Sequence, residues 1–165
     1  MSEMIPAMST MTRTRTFELT PSGRFSLAQA NAFGFGQRDA GDDGARMRLE
    51  FATDGDWQPA GVELTQDADD GVVRGVLYGD APLDAVTAQV ARILSLDHDG
   101  AEWDDLLDRE APLRALAERV PGLRPVLFHS PYEAAAWSIV SARIQHTQAA
   151  RLRAEISREL GTTYT

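Results

Sequence analysis

Gly122–Gly161 reads G-L-R-P-V-L-F-H-S-P-Y-E-A-A-A-W-S-I-V-S-A-R-I-Q-H-T-Q-A-A-R-L-R-A-E-I-S-R-E-L-G. Ser130-Pro131-Tyr132-Glu133 is a capping box with Pro at the first helical position, so the pattern predicts a helix opening there. Its apolar stripe is Ala136, Ile139, Val140 and Ile144. A second helix is predicted from near Thr147, with Ala149, Leu152, Ile156 and Leu160 at helical spacing, closing at Gly161. Two consecutive helices at the carboxyl end set the class of this half of the chain as all-helical.

Working back from there, no strand pattern appears after Gly100. Trp103, Leu106 and Leu107 fit one short helix, and Leu113, Leu116 and Val120 a second that opens near Pro112 and closes at Pro121-Gly122. Residues 14–96 have a different texture. Thr14–Thr20 alternates and reads as a strand ended by Pro21-Ser22-Gly23, and Ser26 is a candidate N-cap for a helix over Leu27–Phe33. Ala45–Ala52, Trp57–Thr65 and Val72–Tyr78 are three further alternating runs, separated by Asp54-Gly55-Asp56 and by Asp67–Gly71. Leu83–Leu94 returns to helical spacing through Val86, Val90, Ile93 and Leu94. The expected unit is β-α-β-β-β-α, an antiparallel sheet with helices on one face, and the boundary between halves falls in the acidic turn at 96–101.

Composition limits the function. The 165 residues suit one domain, or a small domain with part of a second, and an apolar fraction of 43% with 25% charged residues is ordinary for a globular chain. There is no Cys, which removes disulfides and thiolate metal sites, and every basic residue is Arg. The net charge of −9 is unevenly spread: −6 over residues 1–95, −5 over 96–121, and +2 over 122–165. A DNA contact surface, if present, belongs to the last block. The first eleven residues hold four Met and no apolar core of a signal peptide, so 1–13 is read as a disordered leader and the location as cytoplasmic. No apolar run approaches the roughly 18 residues of a membrane span.

Several motifs fail on their chemistry. Gly34-Phe35-Gly36 meets Asp39 where a dinucleotide fingerprint needs its third Gly. Asp67-Ala68-Asp69-Asp70-Gly71 begins like a calcium loop but places Gly71 and Tyr78 where ligands are required. His98, His129 and His146 are scattered, so no metal or other cofactor is expected. Val120-Pro121-Gly122-Leu123-Arg124-Pro125 approximates a helix-hairpin-helix turn, yet Arg124 stands where a second Gly lets the backbone reach a phosphate, and the segment reads as a connector.

The run from Gly122 to Ile144, followed by Gln148-Ala149-Ala150-Arg151-Leu152-Arg153, resembles the DNA-3-methyladenine glycosylase II family of helix-hairpin-helix DNA glycosylases. F-E-L-T-P-S-G-R-F-S-L from Phe17 and V-A-R-I-L-S-L-D-H-D-G from Val90 are similar to that family's amino-terminal part. The resemblance implies an α+β fold. A TATA-binding-protein-like antiparallel sheet with two helices would fill 14–96, and part of an all-α glycosylase bundle would fill 101–165. It also implies base-excision repair: the damaged nucleotide is flipped from the duplex and an Asp assists hydrolysis of the N-glycosidic bond.

By the same resemblance, the turn between the last two helices is the DNA-facing loop, with Ser141, Arg143, Gln145, His146, Thr147 and Arg151 as DNA-binding candidates. Ser141-Ala142 replaces the family's Gly-Gln, and Arg143 takes the place of its apolar wedge. Tyr132, Trp137 and Ala142 are the base-pocket candidates, with the two aromatic residues also fitting a core role at helical spacing. The family's hairpin and catalytic Asp lie beyond the equivalent of Gly161, and no Asp follows Asp108 here, so no catalytic residue is assigned.

The expected function is a DNA-3-methyladenine glycosylase-like repair protein, shortened at its carboxyl end and inactive alone, with double-stranded DNA as partner. The alternatives are a non-catalytic DNA-binding remnant using Arg143, Arg151 and Arg153, or a protein- or small-molecule-binding scaffold. Apolar surface left open on the last two helices predicts self-association.

Overall fold

The computed structural model describes residues 13–33, 46–67 and 69–161. Most of the 1–13 leader, the Gly34-Phe35-Gly36 and Asp39 positions, Ala45, Ala68 and Thr162–Thr165 lie outside them. Strands β1 (Thr14–Leu19), β2 (Arg46–Ala52), β3 (Pro59–Gln66) and β4 (Val73–Tyr78) form an antiparallel sheet of order β1-β4-β3-β2. Helices α1 (Leu27–Phe33) and α2 (Leu83–Ile93) interleave with them in the order expected from the alternation. The fold is α+β, with four more helices following in sequence.

Register decides what the sheet buries. Met47 pairs with Leu64, Leu49 with Val62, Leu64 with Gly75, and Phe17 with Gly75, so these side chains share one face. Leu27 and Ala30 of α1 and Val86, Val90 and Ile93 of α2 close over that face and complete a single core. The opposite face carries Arg46, Arg48, Glu63, Arg74 and Glu18, tied in ion pairs such as Arg48–Glu63 at 3.2 Å and Arg74–Glu18 at 3.3 Å. Gly75 has a specific reason to be glycine: the Phe17 ring lies over its Cα, in the space a Cβ would fill. Gln66 also points to the core side, where its Oε1 accepts from Leu27 N–H at 2.7 Å and its Nε2 donates to Gly71 O at 2.9 Å. It anchors the start of α1 to the β3–β4 turn.

The two hairpin turns explain the aspartates around them. In Asp67–Gly71, the Asp67 and Asp70 carboxylates accept from the Asp69 and Val72 N–H groups at 3.0 and 2.9 Å. Arg74 donates to both oxygens of Asp70, sharing Oδ1 with the Val72 N–H, and holds its carboxyl below the usual range. These acids serve their own loop. Between β2 and β3, Thr53 is buried; its carbonyl accepts from Trp57 N–H at 3.1 Å and its hydroxyl from Gln58 N–H at 3.0 Å. Trp57 is thereby held at φ 56°, a left-handed conformation that costs a bulky residue about 1–3 kcal/mol. This is why β3 begins at Pro59 and not at Trp57.

Helices α3 (Ala101–Arg109) and α4 (Ala111–Arg119) form a hairpin that is mostly exposed, with Leu107 its buried contact. Arg24 holds α3 from outside, pairing with Asp108 at 2.8 Å while its backbone N–H donates to Asp104 at 2.7 Å. The following segment, 122–130, is more than a connector. Val126 enters the core, Leu127 N–H donates to Ile93 O at 2.8 Å, and Arg124 is only 6% exposed.

The Arg124 guanidinium sits among four backbone carbonyls. Nε donates to Arg24 O at 3.1 Å, Nη1 to Ser95 O at 3.1 Å and His98 O at 3.4 Å, and Nη2 to Ser22 O. Gly100 lies directly beneath it, and Gly122, at φ 72°, packs its Cα on the Phe25–Ser26 backbone. Asp99 lies close enough to feel the guanidinium. A Ser22 hydroxyl donating at 2.5 Å, with help from Ala101 N–H and the nearby Arg124 charge, keeps its carboxyl below the ordinary range. Three chain segments distant in sequence meet at this one side chain.

Candidate nucleic-acid interface

Helices α5 (Pro131–Val140) and α6 (His146–Leu160) carry the residues singled out in the sequence. The capping box forms in altered shape. Ser130 Oγ accepts from Glu133 N–H at 3.0 Å, but the Glu133 carboxylate accepts from His129 N–H, also at 3.0 Å, one residue earlier than the usual partner. His129 is buried, its Nδ1 facing Glu50 O at 3.2 Å and Glu133 Oε2 at 3.4 Å, which places the ring proton on Nδ1. Its carbonyl accepts from Gln89 Nε2 and Arg92 Nη2, both at 2.8 Å. The start of α5 is thus bolted to the sheet and to α2.

Glu133 also reaches α6 by pairing with Arg153 at 3.5 Å. The Arg153 guanidinium stands 5.9 Å from the Trp137 ring centre, and the other neighbour of Trp137 is His146, edge-on at 5.5 Å. Trp137, His146 and Arg153 therefore come together as the hinge packing between α5 and α6. Tyr132 does not join them. It lies at the opposite end of α5, 63% exposed, with its ring edge-on to Trp57 at 5.3 Å.

The turn between the helices is short and internally bonded. Ser141 caps α5, its hydroxyl donating to Trp137 O at 2.6 Å, and Ala142 N–H donates to Ile139 O at 3.2 Å. Arg143 follows at φ 60°, exposed, in the left-handed region that non-glycine residues seldom occupy. Gln145 is extended and its carbonyl accepts from Gln148 and Ala149 N–H at 2.9 and 3.0 Å, opening α6. No side chain caps α6, and no acid stands in its first turn. The N–H groups of His146 and Thr147 therefore point outward at the positive end of a 15-residue helix. Arg151 lies one turn beyond Thr147 on the same face.

Electrostatics narrow the basic block of 122–165. Arg124 is buried on carbonyls, Arg153 is paired with Glu133, and Arg158 is paired with Glu159 at 3.3 Å. Arg143 and Arg151 are left as exposed cations without an acidic partner among the described residues. Exposed N–H groups at a helix start beside two free guanidinium groups form a surface suited to phosphate oxygens. Among the described residues, no group of three or more His, Asp or Glu is placed to hold a metal ion. No helix among them is long and apolar enough to cross a membrane.

The apolar stripe of the two helices is open. On α5 Ile139 is 76% exposed and no residue is fully buried, while on α6 only Ala149 is buried and Leu160 is 84% exposed. Sequence pattern identified these stripes; the contribution of Glu133 and the burial of Arg124 carried no periodic signal.

Comparison with protein-family models gives no match, nor does comparison with curated proteins. Among solved structures, the fold is similar to that of a 3-methyladenine DNA-glycosylase from Archaeoglobus fulgidus, with a TM-score of 0.68 and 17% sequence identity. The likeness covers 90% of this chain and 52% of that one, so the chain spans about half the length of that structure. At this identity the likeness establishes a shared fold.

Proposed function

We propose that this chain is a DNA-3-methyladenine glycosylase-like repair protein whose α5–α6 turn contacts duplex DNA, and that the 165-residue chain binds without excising a base. The observation that carries the reading is the fold: the likeness to a solved 3-methyladenine DNA-glycosylase runs through nine-tenths of the chain. In this reading the sheet and its two helices are the TATA-binding-protein-like part, and α3–α6 belong to the helical part. Arg143 is the residue presented to the duplex. It is exposed at a left-handed position of the turn, and in this reading the His146 and Thr147 N–H groups and Arg151 meet the flanking phosphates. Ser141 and Gln145 shape the turn, and Trp137 with Ala142 line its base side. Tyr132, roughly 13 Å away along α5, stands outside this interface.

The expectation of no excision rests on the absence of an assigned catalytic carboxylate: Asp108 pairs with Arg24 on α3, and Glu133 is engaged by His129 N–H and Arg153. Purified chain incubated with methylated duplex DNA is expected to release no free base; release of 3-methyladenine would sink this part of the proposal. Binding to a short duplex is expected to be weak at low salt and to fall with a log–log slope near −2, one unit for each of Arg143 and Arg151. Arg143→Ala should lower affinity several-fold and bring the slope to about −1. An unchanged slope would remove Arg143 from the interface.

The same reading assigns the open Ile139–Ile156–Leu160 stripe to self-association of the chain in solution. Sedimentation at rising concentration is expected to show oligomers that Ile156→Glu abolishes. A monomer at all concentrations would rule this out.

A further inference from the structure

One surface feature has no part in that interface. Trp57 is 60% exposed and Tyr132 63%, and their rings meet edge-to-face at 5.3 Å and 88°. One comes from a sheet turn and the other from the start of α5, so the pair forms only when the two halves of the chain are folded together. The turn under Trp57 is rigidly built. Thr53 is buried beneath it, Asp54 N–H donates to Gln89 Oε1 at 2.9 Å, and the Asp54 carboxylate pairs with Arg92 at 2.9 Å. A bulky side chain in a left-handed turn and largely in solvent does little to stabilise that turn, which a glycine would relax. What the turn does is hold an indole outward against a phenol.

The charge beside the pair selects the ligand. Asp56, the residue before Trp57, is exposed and has no cationic partner among the described residues. The nearby Arg92 is already spent on Asp54 and on the Phe128 and His129 carbonyls. Ring faces are electronegative, so two aromatic rings and a free carboxylate attract a weakly hydrated cation and repel phosphate. Residues 1–121 are strongly acidic as a whole, which extends the same preference beyond the patch.

We propose that the Trp57–Tyr132 pair with Asp56 is a docking patch for an arginine side chain of a basic peptide segment in a partner protein. The guanidinium stacks on the free ring face and pairs with the Asp56 carboxylate. The site lies at the far end of α5 from Arg143, so peptide and DNA occupy different ends of the same helix.

The test uses the full chain labelled with 5-fluorotryptophan, whose resonances report Trp57, Trp103 and Trp137 separately. Loss of one signal in Trp57→Phe assigns it. Titration with acetyl-Gly-Arg-Gly-Arg-Gly-amide is expected to move the Trp57 resonance saturably and leave the other two in place. Asp56→Asn and Tyr132→Ala should each weaken the response by about threefold or more. The peptide with Glu in place of Arg should give none. The proposal is overturned by no saturable shift up to about 10 mM peptide, by an undiminished shift in Asp56→Asn, or by equal shifts at all three tryptophans. A Trp57 shift with hexathymidylate and none with the arginine peptide overturns it in favour of base stacking.

Discussion

Arg124→Ala is expected to lower the stability of the fold by about 3 kcal/mol or more, the largest loss of any single substitution considered for this chain. The guanidinium is nearly inaccessible and donates to the carbonyls of Ser22, Arg24, Ser95 and His98. Removing it strands several carbonyls in a site where water has little room, and each unsatisfied group costs about 1–3 kcal/mol. It also opens a void above Gly100, whose Cα packs against the guanidinium. Arg124→Lys is not expected to rescue, because an ammonium cannot span carbonyls arranged around a planar fork. Urea unfolding followed by circular dichroism measures this directly. A loss below about 1 kcal/mol would mean the cluster is solvated and the account of the junction is wrong. Since domains of this size are stable by roughly 5–15 kcal/mol, the expected loss removes a large part of the total.

Gly75→Ala is expected to cost about 2–3 kcal/mol, at the upper end for adding one methyl to a packed interior. The Phe17 ring covers the Gly75 Cα, and both residues lie mid-strand in hydrogen-bonded pairs, so neither backbone can withdraw. Shortening the ring side chain should relieve the clash: Phe17→Leu alone destabilises, yet in the Gly75→Ala background it should recover part of the loss. The coupling energy from that cycle is expected to be at least about 1 kcal/mol. Additive losses would show that the ring turns aside without strain.

These two positions show different degrees of legibility. The helix, strand and turn patterns were readable because they depend on neighbours a few residues apart. Leu27–Phe33 began after Ser26, whose hydroxyl accepts from Gln29 N–H at 3.3 Å, and Ser130 capped α5 as its spacing implied. Gly75 was not readable as special, since the residue that requires it is opposite on another strand, 58 positions away by register. By sequence Arg124 belongs to a connector inside the basic block, whereas the fold turns it inward and uses its charge on backbone carbonyls. Alternation alone makes Trp57 the start of a strand, and the buried Thr53 converts it into an exposed left-handed turn residue.

The candidate interface divides in the same way. Periodicity carries the α5 stripe on to Ile144, whereas the helix ends at Val140; the turn at 141–145, with Arg143 in it, is marked only by the family resemblance. Which arginines remain free is not legible, because their engagement depends on partners brought close only by folding: Glu133 for Arg153, and carbonyls of two distant segments, 22–24 and 95–98, for Arg124.

By itself the sequence determined the two textures, the order of strands and helices, and the amphipathic faces of α5 and α6, all of which follow from backbone periodicity and local capping. The tertiary structure alone decided the sheet order β1-β4-β3-β2, the burial of Arg124, the bolting of α5 through His129 and Glu133, and the meeting of Trp57 with Tyr132. The physical reason is range. Periodicity and caps act over one or two turns of chain, but desolvation and charge pairing depend on whatever the completed fold places within a few ångströms.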